Sequence, residues 1–385
     1  MRFLAEGAFE GRVDELKQLG DLLTGDRRPR LVTIHGSGGQ GKTALAREAI
    51  ERFAYAWQGG VWATALENLP SRDVFVSDLA RFLGINVQNV ADPDDVERRV
   101  IARLVQYRTL VVLDNVETLV EAVEANNEEA LHLAQFLRVQ LPSPSVSLLV
   151  TSRSFLGWAG EIGYELTGLA PIEGIRLFQQ HAPQREEEID QVVTWELSEQ
   201  VEGHPLSLRL LGSAFNASPI SFSAFVKEYE AQLLEAENKY VKVDHRQRTL
   251  YASIETSVRY LNDELTELLS RLWLFHAPFL PETAVEIFDP GYDDTKDEVS
   301  PVYDRIYILW RRGLLACEEG TVREETIRLF RVLPTLRPYI EQYLAPAEER
   351  ESMLASFGAA YTRLVRYLVY ELDRGGVAAV IAWQA

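Results

Sequence analysis

The sequence predicts an α/β unit whose parallel sheet carries helices on both faces, followed by a helical unit and a smaller mixed unit. Three observations predict this order. Short apolar runs alternate with helix-spaced apolar residues as far as Gly168, which is the pattern of a buried parallel sheet. The pattern is then purely helical from residue 169 to residue 234. Further helices and a two-stranded ribbon follow, an order that is typical of a winged helix.

The individual elements follow from the spacing of apolar residues. Helices are predicted where these recur every three or four positions, and strands where short β-branched runs end in Gly or polar residues. In the first unit the predicted helices are 13–23, 42–55, 75–83 and 93–107, and the predicted strands are 30–34, 60–65, 110–113 and 146–150. Later helices are predicted at 174–181, 190–202, 206–215, 250–260 and 263–273, and the ribbon at 313–316 and 326–330 around a turn at Glu318, Glu319 and Gly320.

Four domains are therefore expected. They are an α/β domain at 1–168, a helical domain at 169–243, a winged-helix domain at 244–345 and C-terminal helices at 346–385. The last residues are apolar and uncapped, so we expect these helices to begin a further region and the chain to be a fragment of a longer protein.

Composition excludes several classes of protein. The 385 residues are 46% hydrophobic and 25% charged, which is ordinary for a soluble globular chain, and no apolar run reaches the roughly 18 residues of a membrane-spanning helix. The single cysteine forbids an internal disulfide, which indicates a reducing, cytoplasmic setting. A net charge of −19 repels the phosphate backbone of nucleic acid, so we expect neither a nucleic-acid partner nor a membrane partner.

Residues 36–43, Gly-Ser-Gly-Gly-Gln-Gly-Lys-Thr, match the phosphate-loop pattern G-x-x-x-x-G-K-[ST] in full, between a predicted strand and a predicted helix. Glycines let backbone N–H groups turn toward an anion, and the helix N-terminus adds its positive end. A chance glycine-rich turn is the weaker alternative. The residues predicted to bind the nucleotide here are Ser37, Gly38, Gly39, Gln40, Gly41, Lys42, Thr43 and Ala44.

Residues 110–115, Leu-Val-Val-Leu-Asp-Asn, read as an apolar strand that ends in an acid, the usual Walker B arrangement. Alone, such an acid is more often part of a strand-end turn. Beside a phosphate loop, Asp114 is predicted to hold Mg²⁺ together with Thr43. Its neighbour is Asn115 instead of a second acid, and Glu117 is the candidate for orienting water, so we expect slow hydrolysis at best.

A third strand, within residues 148–153, ends in Arg153. A cation there can contact a γ-phosphate through a charge-assisted hydrogen bond. The alternative is a surface arginine paired with a carboxylate such as Glu161, and position in the sequence favours neither.

Taken in order, these motifs resemble those of the NB-ARC or STAND-class signalling ATPases, in their bacterial form. Residues 9–12 (Phe-Glu-Gly-Arg) are similar to the family's N-terminal Phe-x-Gly-Arg motif. The phosphate loop, the Walker B strand and the Thr-Ser-Arg strand end at Arg153 follow. Residues 203–206 (Gly-His-Pro-Leu) match the Gly-x-Pro-Leu motif of the first helical domain. Taken alone, that last match is a helix that starts with proline at its first position.

The resemblance implies a nucleotide-operated switch. Phe9 and Arg12 would line the adenine side, and Pro205 and Leu206 would pack on the base. In the family, ADP holds a closed form and ATP an open form that oligomerises, with other domains of the same chain or pathway as partners. A histidine of the winged-helix domain touches the β-phosphate there, but Leu333 stands in its place here. The resemblance therefore leaves closure to domain packing, with Arg331 or Arg337 near the nucleotide.

Two other functions remain open from the sequence. A metabolic P-loop enzyme such as a kinase would need a clear base, which Asn115 does not provide. A DNA-binding regulator could use the winged helix, where residues 305–337 contain seven arginines, but the acids Glu318, Glu319, Glu324 and Glu325 would then face phosphates. A salt-dependent affinity for duplex DNA would favour this second function.

Overall fold

The computed structural model describes residues 9–25, 29–87, 93–141, 143–241, 243–289, 291–292, 299–322, 325–346, 348 and 350–373. Residues 11–168 form one compact unit, and the described residues from Leu169 onward, together with Phe9 and Glu10, belong to a second. The division into four domains stays a prediction.

The first unit is built on a five-stranded parallel sheet with the order β2-β3-β4-β1-β5. Its strands are β1 (Leu31–His35), β2 (Val61–Ala65), β3 (Thr109–Asp114), β4 (Val146–Ser152) and β5 (Glu161–Glu165). Its helices are α1 (Val13–Thr24), α2 (Lys42–Phe53), α3 (Arg72–Phe82), α4 (Pro93–Leu104), α5 (Glu117–Glu124) and α6 (Glu128–Gln135), with short helical turns at Ala54–Ala56 and Phe136–Gln140. The predicted α/β class with a parallel sheet is confirmed.

Alternate residues of the interior strand β3 pack on opposite sides of the sheet. Val111 and Leu113 belong to the apolar core beneath α3 to α6, whereas Leu110 and Val112, also buried, lie outside it. Burial of both sets requires cover on both faces, which explains the continuous apolar run in the sequence. Since the carboxyl ends of parallel strands meet at one edge, the loops after β1, β3 and β4 meet there.

Strand β5 and helices α5 and α6 were absent from the predicted elements. Strand β5 pairs only with β1 at the edge of the sheet, so its residues are half-buried or exposed and its sequence is largely polar. Such a strand lacks the apolar run that marked its neighbours.

The second unit is mainly helical. Its helices are α7 (Pro171–Gln180), α8 (Gln191–Gln200), α9 (Pro205–Ala217), α10 (Phe222–Lys239), α11 (His245–Arg259), α12 (Asp263–Arg271), α13 (Pro281–Phe288) and α14 (Pro301–Arg311). An antiparallel ribbon of β6 (Leu315–Val322) and β7 (Glu325–Val332) follows, then α15 (Arg337–Tyr339), a helical turn at Ile340–Leu344, and α16 (Arg350–Asp373). Three helices before a ribbon have the order expected of a winged helix, and that assignment stays a prediction.

The predicted turn at Glu318, Glu319 and Gly320 was wrong, because β6 continues through these residues to Val322. The acids are satisfied within the ribbon: Glu319 pairs with Arg328 at 2.6 Å and Glu318 with Arg331 at 3.7 Å. Cross-strand charge pairs let a polar run stay in a strand.

No helix among the described residues is long and apolar enough to span a bilayer.

Candidate nucleotide-binding site

The phosphate loop runs from the end of β1 to the start of α2. Gly41 precedes the helix with φ of 86°, a conformation that residues with a side chain rarely adopt. The buried Lys42 Nζ donates hydrogen bonds to the carbonyl oxygens of Gly36 (2.8 Å) and Ser37 (2.9 Å), so its charge lies against the loop itself. A fixed cation, a helix N-terminus and a glycine-rich loop together form a site suited to phosphate.

Thr43, the next residue of α2, contacts the predicted Walker B acid. Its Oγ1 donates to Asp114, 2.8 Å from Oδ1 and 3.1 Å from Oδ2. Thr151, buried on β4, also donates its hydroxyl to Asp114 Oδ1. Sequence reasoning gave Thr151 no role of its own, although this hydroxyl residue belongs to the Thr-Ser-Arg strand end that resembles the family motif. These contacts hold the carboxylate in place beside the phosphate loop.

One hydroxyl and one carboxylate fit Mg²⁺, which binds proteins through few oxygen ligands and takes the rest from phosphates and water. Across the described part of the chain, no group of three or more His, Cys, Asp or Glu side chains is placed to hold a metal ion. Thr43 and Asp114 would thus hold Mg²⁺ together with a nucleotide, and the ion would neutralise charge on the phosphates.

Glu117 and Arg153 form an ion pair, with Arg153 Nε 3.4 Å from Glu117 Oε1. The suggested partner Glu161 instead accepts hydrogen bonds from the backbone N–H groups of residues 156–158. Burial raises the pKa of Glu117, and the cations Lys42 and Arg153 oppose that shift. Burial likewise lowers the pKa of Lys42, against the attraction of Glu117 and Asp114. Two cations and two carboxylates therefore lie close together at this edge of the sheet.

We expect Arg153→Ala to weaken ATP binding by about tenfold and to leave ADP binding within about twofold, since one charge-assisted hydrogen bond contributes roughly 1.5 kcal/mol. The arginine is about half exposed, at 53%, so its guanidinium can exchange Glu117 for a γ-phosphate. Titration of both nucleotides into the variant measures this. Arg52→Ala is the matched control, because Arg52 is an exposed arginine on α2 that pairs with Glu48. Equal losses for both nucleotides would make Arg153 a structural residue.

Arg12 connects the start of the first unit to the phosphate loop. Its buried guanidinium donates to the carbonyl oxygens of Gln40 (3.3 Å) and Thr167 (2.6 Å) and pairs with Glu15 at 2.8 Å. The Gln40 side chain is buried too, and its Oε1 accepts no hydrogen bond from the described residues. Arg12 thus supports the loop, and its predicted contact with adenine stays a prediction.

The other predicted phosphate-binding residues of the loop are at least partly accessible to solvent. Ser37, Gly38 and Gly39 are half-buried, and Ala44 is exposed on the first turn of α2. Their backbone N–H groups are the predicted phosphate ligands, and this stays a prediction.

Phe9, Pro205 and Leu206 belong to the second unit, and their predicted contact with the base stays a prediction. Locally, the Gly-His-Pro-Leu motif starts α9. His204 is the N-cap, whose Nδ1 accepts a hydrogen bond from the Ser207 N–H at 3.3 Å, and Pro205 takes the first helical position.

Sequence comparison places the chain among known proteins. Residues 10–132 match the family model of the NB-ARC domain. An uncharacterized protein of Mycobacterium tuberculosis is 26% identical over 357 residues, which cover 91% of this chain and 84% of that protein. A second protein of that species, described provisionally as an HTH-type transcriptional regulator, is 27% identical over 332 residues, which cover 84% of this chain and 34% of that protein. TMV resistance protein N of Nicotiana glutinosa is 26% identical over 196 residues, or 48% of this chain and 16% of that protein.

Among solved structures, the chain is similar to a Signal Transduction ATPase with Numerous Domains (STAND) protein with a tetratricopeptide repeat sensor from Pyrococcus horikoshii. The TM-score is 0.55 at 20% sequence identity, with 96% of this chain and 46% of that protein covered. The chain thus spans about half the length of the Pyrococcus protein. At this identity the likeness supports a shared fold.

Proposed function

The nucleotide-binding part of this chain belongs to the NB-ARC family, and on that premise we propose that the protein is a switch operated by ADP and ATP. It binds an adenine nucleotide with Mg²⁺, hydrolyses ATP slowly, rests in the ADP form and self-associates in the ATP form. The observation that carries the proposal is the contact of Thr43 with Asp114 beside the buried, loop-bound Lys42.

Each described residue of the site has a role in this proposal. Lys42 and the loop N–H groups bind the β- and γ-phosphates, and Thr43 and Asp114 hold Mg²⁺. Arg153 contacts the γ-phosphate, which only ATP possesses, and releases Glu117 when it does so. A ligand shifts a conformational balance only through its different affinity for the two states, so the exchange between Glu117 and the γ-phosphate is a means of telling ATP from ADP.

The upstream signal is expected to come through protein contacts. The Pyrococcus protein is described as having a tetratricopeptide repeat sensor. We propose that a comparable protein-binding region, in the same chain or in a partner, selects between the nucleotide states of this switch.

The test is the mass of the protein in solution with each nucleotide. Light scattering on the nucleotide-stripped protein should show a monomer with Mg²⁺ and ADP, and a larger assembly with Mg²⁺ and a non-hydrolysable ATP analogue. Lys42→Ala should stay monomeric with both. The same mass for the native chain with ADP and with the analogue would contradict the switch.

DNA binding is a weaker alternative. It draws on the description of one mycobacterial relative, of which this chain covers 34%. In the described ribbon, Arg328 and Arg331 pair with carboxylates of the opposite strand. On α14, Arg305 pairs with Glu264 at 2.7 Å. Arginines that are already paired offer little to phosphates, so we propose no nucleic-acid partner.

The metabolic-enzyme alternative gains no support from the site either. Such an enzyme would need a clear base, and the residue after Asp114 is Asn115 instead of an acid.

A further inference from the structure

Two neighbouring side chains, one after the end of β2 and one after the end of β3, have no role in nucleotide or metal binding as described so far. Asn115 directly follows Asp114, and Glu67 lies just beyond the end of β2. Ala65 pairs with Asp114, and the Leu66 N–H donates to the Asp114 carbonyl oxygen at 2.9 Å, which brings Glu67 beside Asn115. The Asn115 side chain donates from Nδ2 to Glu67 Oε1.

Asn115 is held by its backbone as well. Its φ is 57°, in the left-handed region that asparagine tolerates better than most residues. Its N–H donates to Thr151 Oγ1 at 3.0 Å, and the same hydroxyl donates to Asp114. An uncommon backbone conformation that several contacts maintain is typical of functional positions. The network fixes Asn115 relative to the acid that is predicted to hold Mg²⁺.

The contact with Glu67 also sets the orientation of the Asn115 carboxamide. A carboxylate only accepts hydrogen bonds, so the NH₂ group faces Glu67 and Oδ1 faces away. Within the described residues the structure shows no donor to Oδ1. Asn115 is half-buried, so water can reach this atom. A side-chain amide can orient the attacking water in a nucleotide hydrolase, as glutamine does in small GTPases.

We propose that the Asn115 carboxamide, held by Glu67, orients the water that attacks the γ-phosphate of ATP. This rests on the proposed slow ATPase activity. The water oxygen forms a bond to the γ-phosphorus, the bond from that phosphorus to the bridging oxygen breaks, and ADP leaves with the electron pair. One water proton stays on the released phosphate and the other passes to solvent. Asn115 accepts a hydrogen bond and takes no proton, which accounts for slow turnover.

Glu67 is then a positioning residue that acts through Asn115. We expect Glu67→Ala to lower kcat by about 10- to 100-fold, because a misplaced reacting group costs about that much. Glu67→Gln should keep kcat within about threefold of the native value, because a glutamine oxygen still accepts from the amide. Affinities for ADP and ATP should change by less than about twofold in both variants, since no phosphate contact is lost.

The experiment measures steady-state ATP hydrolysis and nucleotide Kd for the full chain and these variants, with Glu124→Ala as a control at an exposed glutamate of the same unit. Asn115→Gly, which accepts the positive φ, should match the kcat of Glu67→Ala, and the double variant should be no slower. Unchanged kcat in Glu67→Ala would overturn the proposal. A kcat for Glu67→Gln as low as that of Glu67→Ala would also overturn it, because the Glu67 carboxylate itself would then be the general base. Native protein that binds ATP without hydrolysing it would refute this inference and the slow hydrolysis on which it rests, but not the nucleotide switch, whereas absent binding would refute the switch as well.

Discussion

Lys42→Ala is expected to weaken binding of both ADP and ATP by at least about 100-fold, or roughly 2.7 kcal/mol. The lysine is buried and lies against the phosphate loop through the carbonyl oxygens of Gly36 and Ser37. Its removal takes away the cation nearest to the predicted phosphates. It also leaves the carboxylates of Asp114 and Glu117, both of which act on Lys42 electrostatically, without that charge beside them.

Calorimetric titration of the nucleotide-stripped variant measures the effect. Lys17→Ala is the matched control, because Lys17 is an exposed lysine on α1 in the same unit. The control should bind like the native chain, and both variants should keep the native circular dichroism spectrum. ADP affinity in Lys42→Ala within a few-fold of the native value would count against the assignment of the loop.

Gly203→Ala is expected to destabilise the second unit by about 2–4 kcal/mol, lowering its melting temperature by roughly 5–12 °C. Gly203 has φ of 62°, and a Cβ atom there would lie 2.2 Å from the carbonyl oxygen of Leu169. The obstacle is backbone that is itself held, because the Leu169 N–H donates to the Gly203 carbonyl oxygen at 2.8 Å. Backbone strain at position 203 and loss of the hydrogen bond with Leu169 therefore both contribute to the expected destabilisation.

Gly358→Ala provides the comparison within the same unit. Gly358 lies inside α16, has an ordinary backbone conformation and has open space where a Cβ would be. Alanine is the better helix former, so this variant should gain about 0.5–1 kcal/mol. Thermal unfolding followed by circular dichroism measures both. A Gly203→Ala protein that melts at the native temperature would show that the Leu169 segment is free to move aside.

Local motifs could be predicted from the sequence because their chemistry is contained in a few consecutive residues. The phosphate loop and its lysine, the strand that ends in Asp114 and the start of α9 at Pro205 are of this kind. Apolar spacing also predicted most helices and the four strands β1 to β4, of which β1, β3 and β4 are mostly or fully buried. Two of the elements that this approach missed or misread have a clear physical reason: β5 is too polar, and the acids of β6 resembled a turn because their arginine partners lie on β7.

Apart from Thr43 with Asp114, which the two motifs predicted together, contacts between distant residues could not be predicted, because they depend on the order of strands in the sheet. Only the arrangement β2-β3-β4 brings Glu67 to Asn115, and Thr151 to Asp114. The same order brings Arg153, after β4, to Glu117, after β3. Glu67 had no signal in the sequence at all. Its side chain acquires a role only when β2 pairs with β3.

The central claim, that the loop between β1 and α2 binds a purine nucleotide through its phosphates, is tested most directly by calorimetric titration of the nucleotide-stripped native chain with ADP and ATP in the presence of Mg²⁺. We predict saturable binding of one nucleotide per chain with a Kd in the micromolar range or tighter, about −8 kcal/mol or more favourable. Heats no larger than those of dilution, for both nucleotides and with a folded protein, would contradict it.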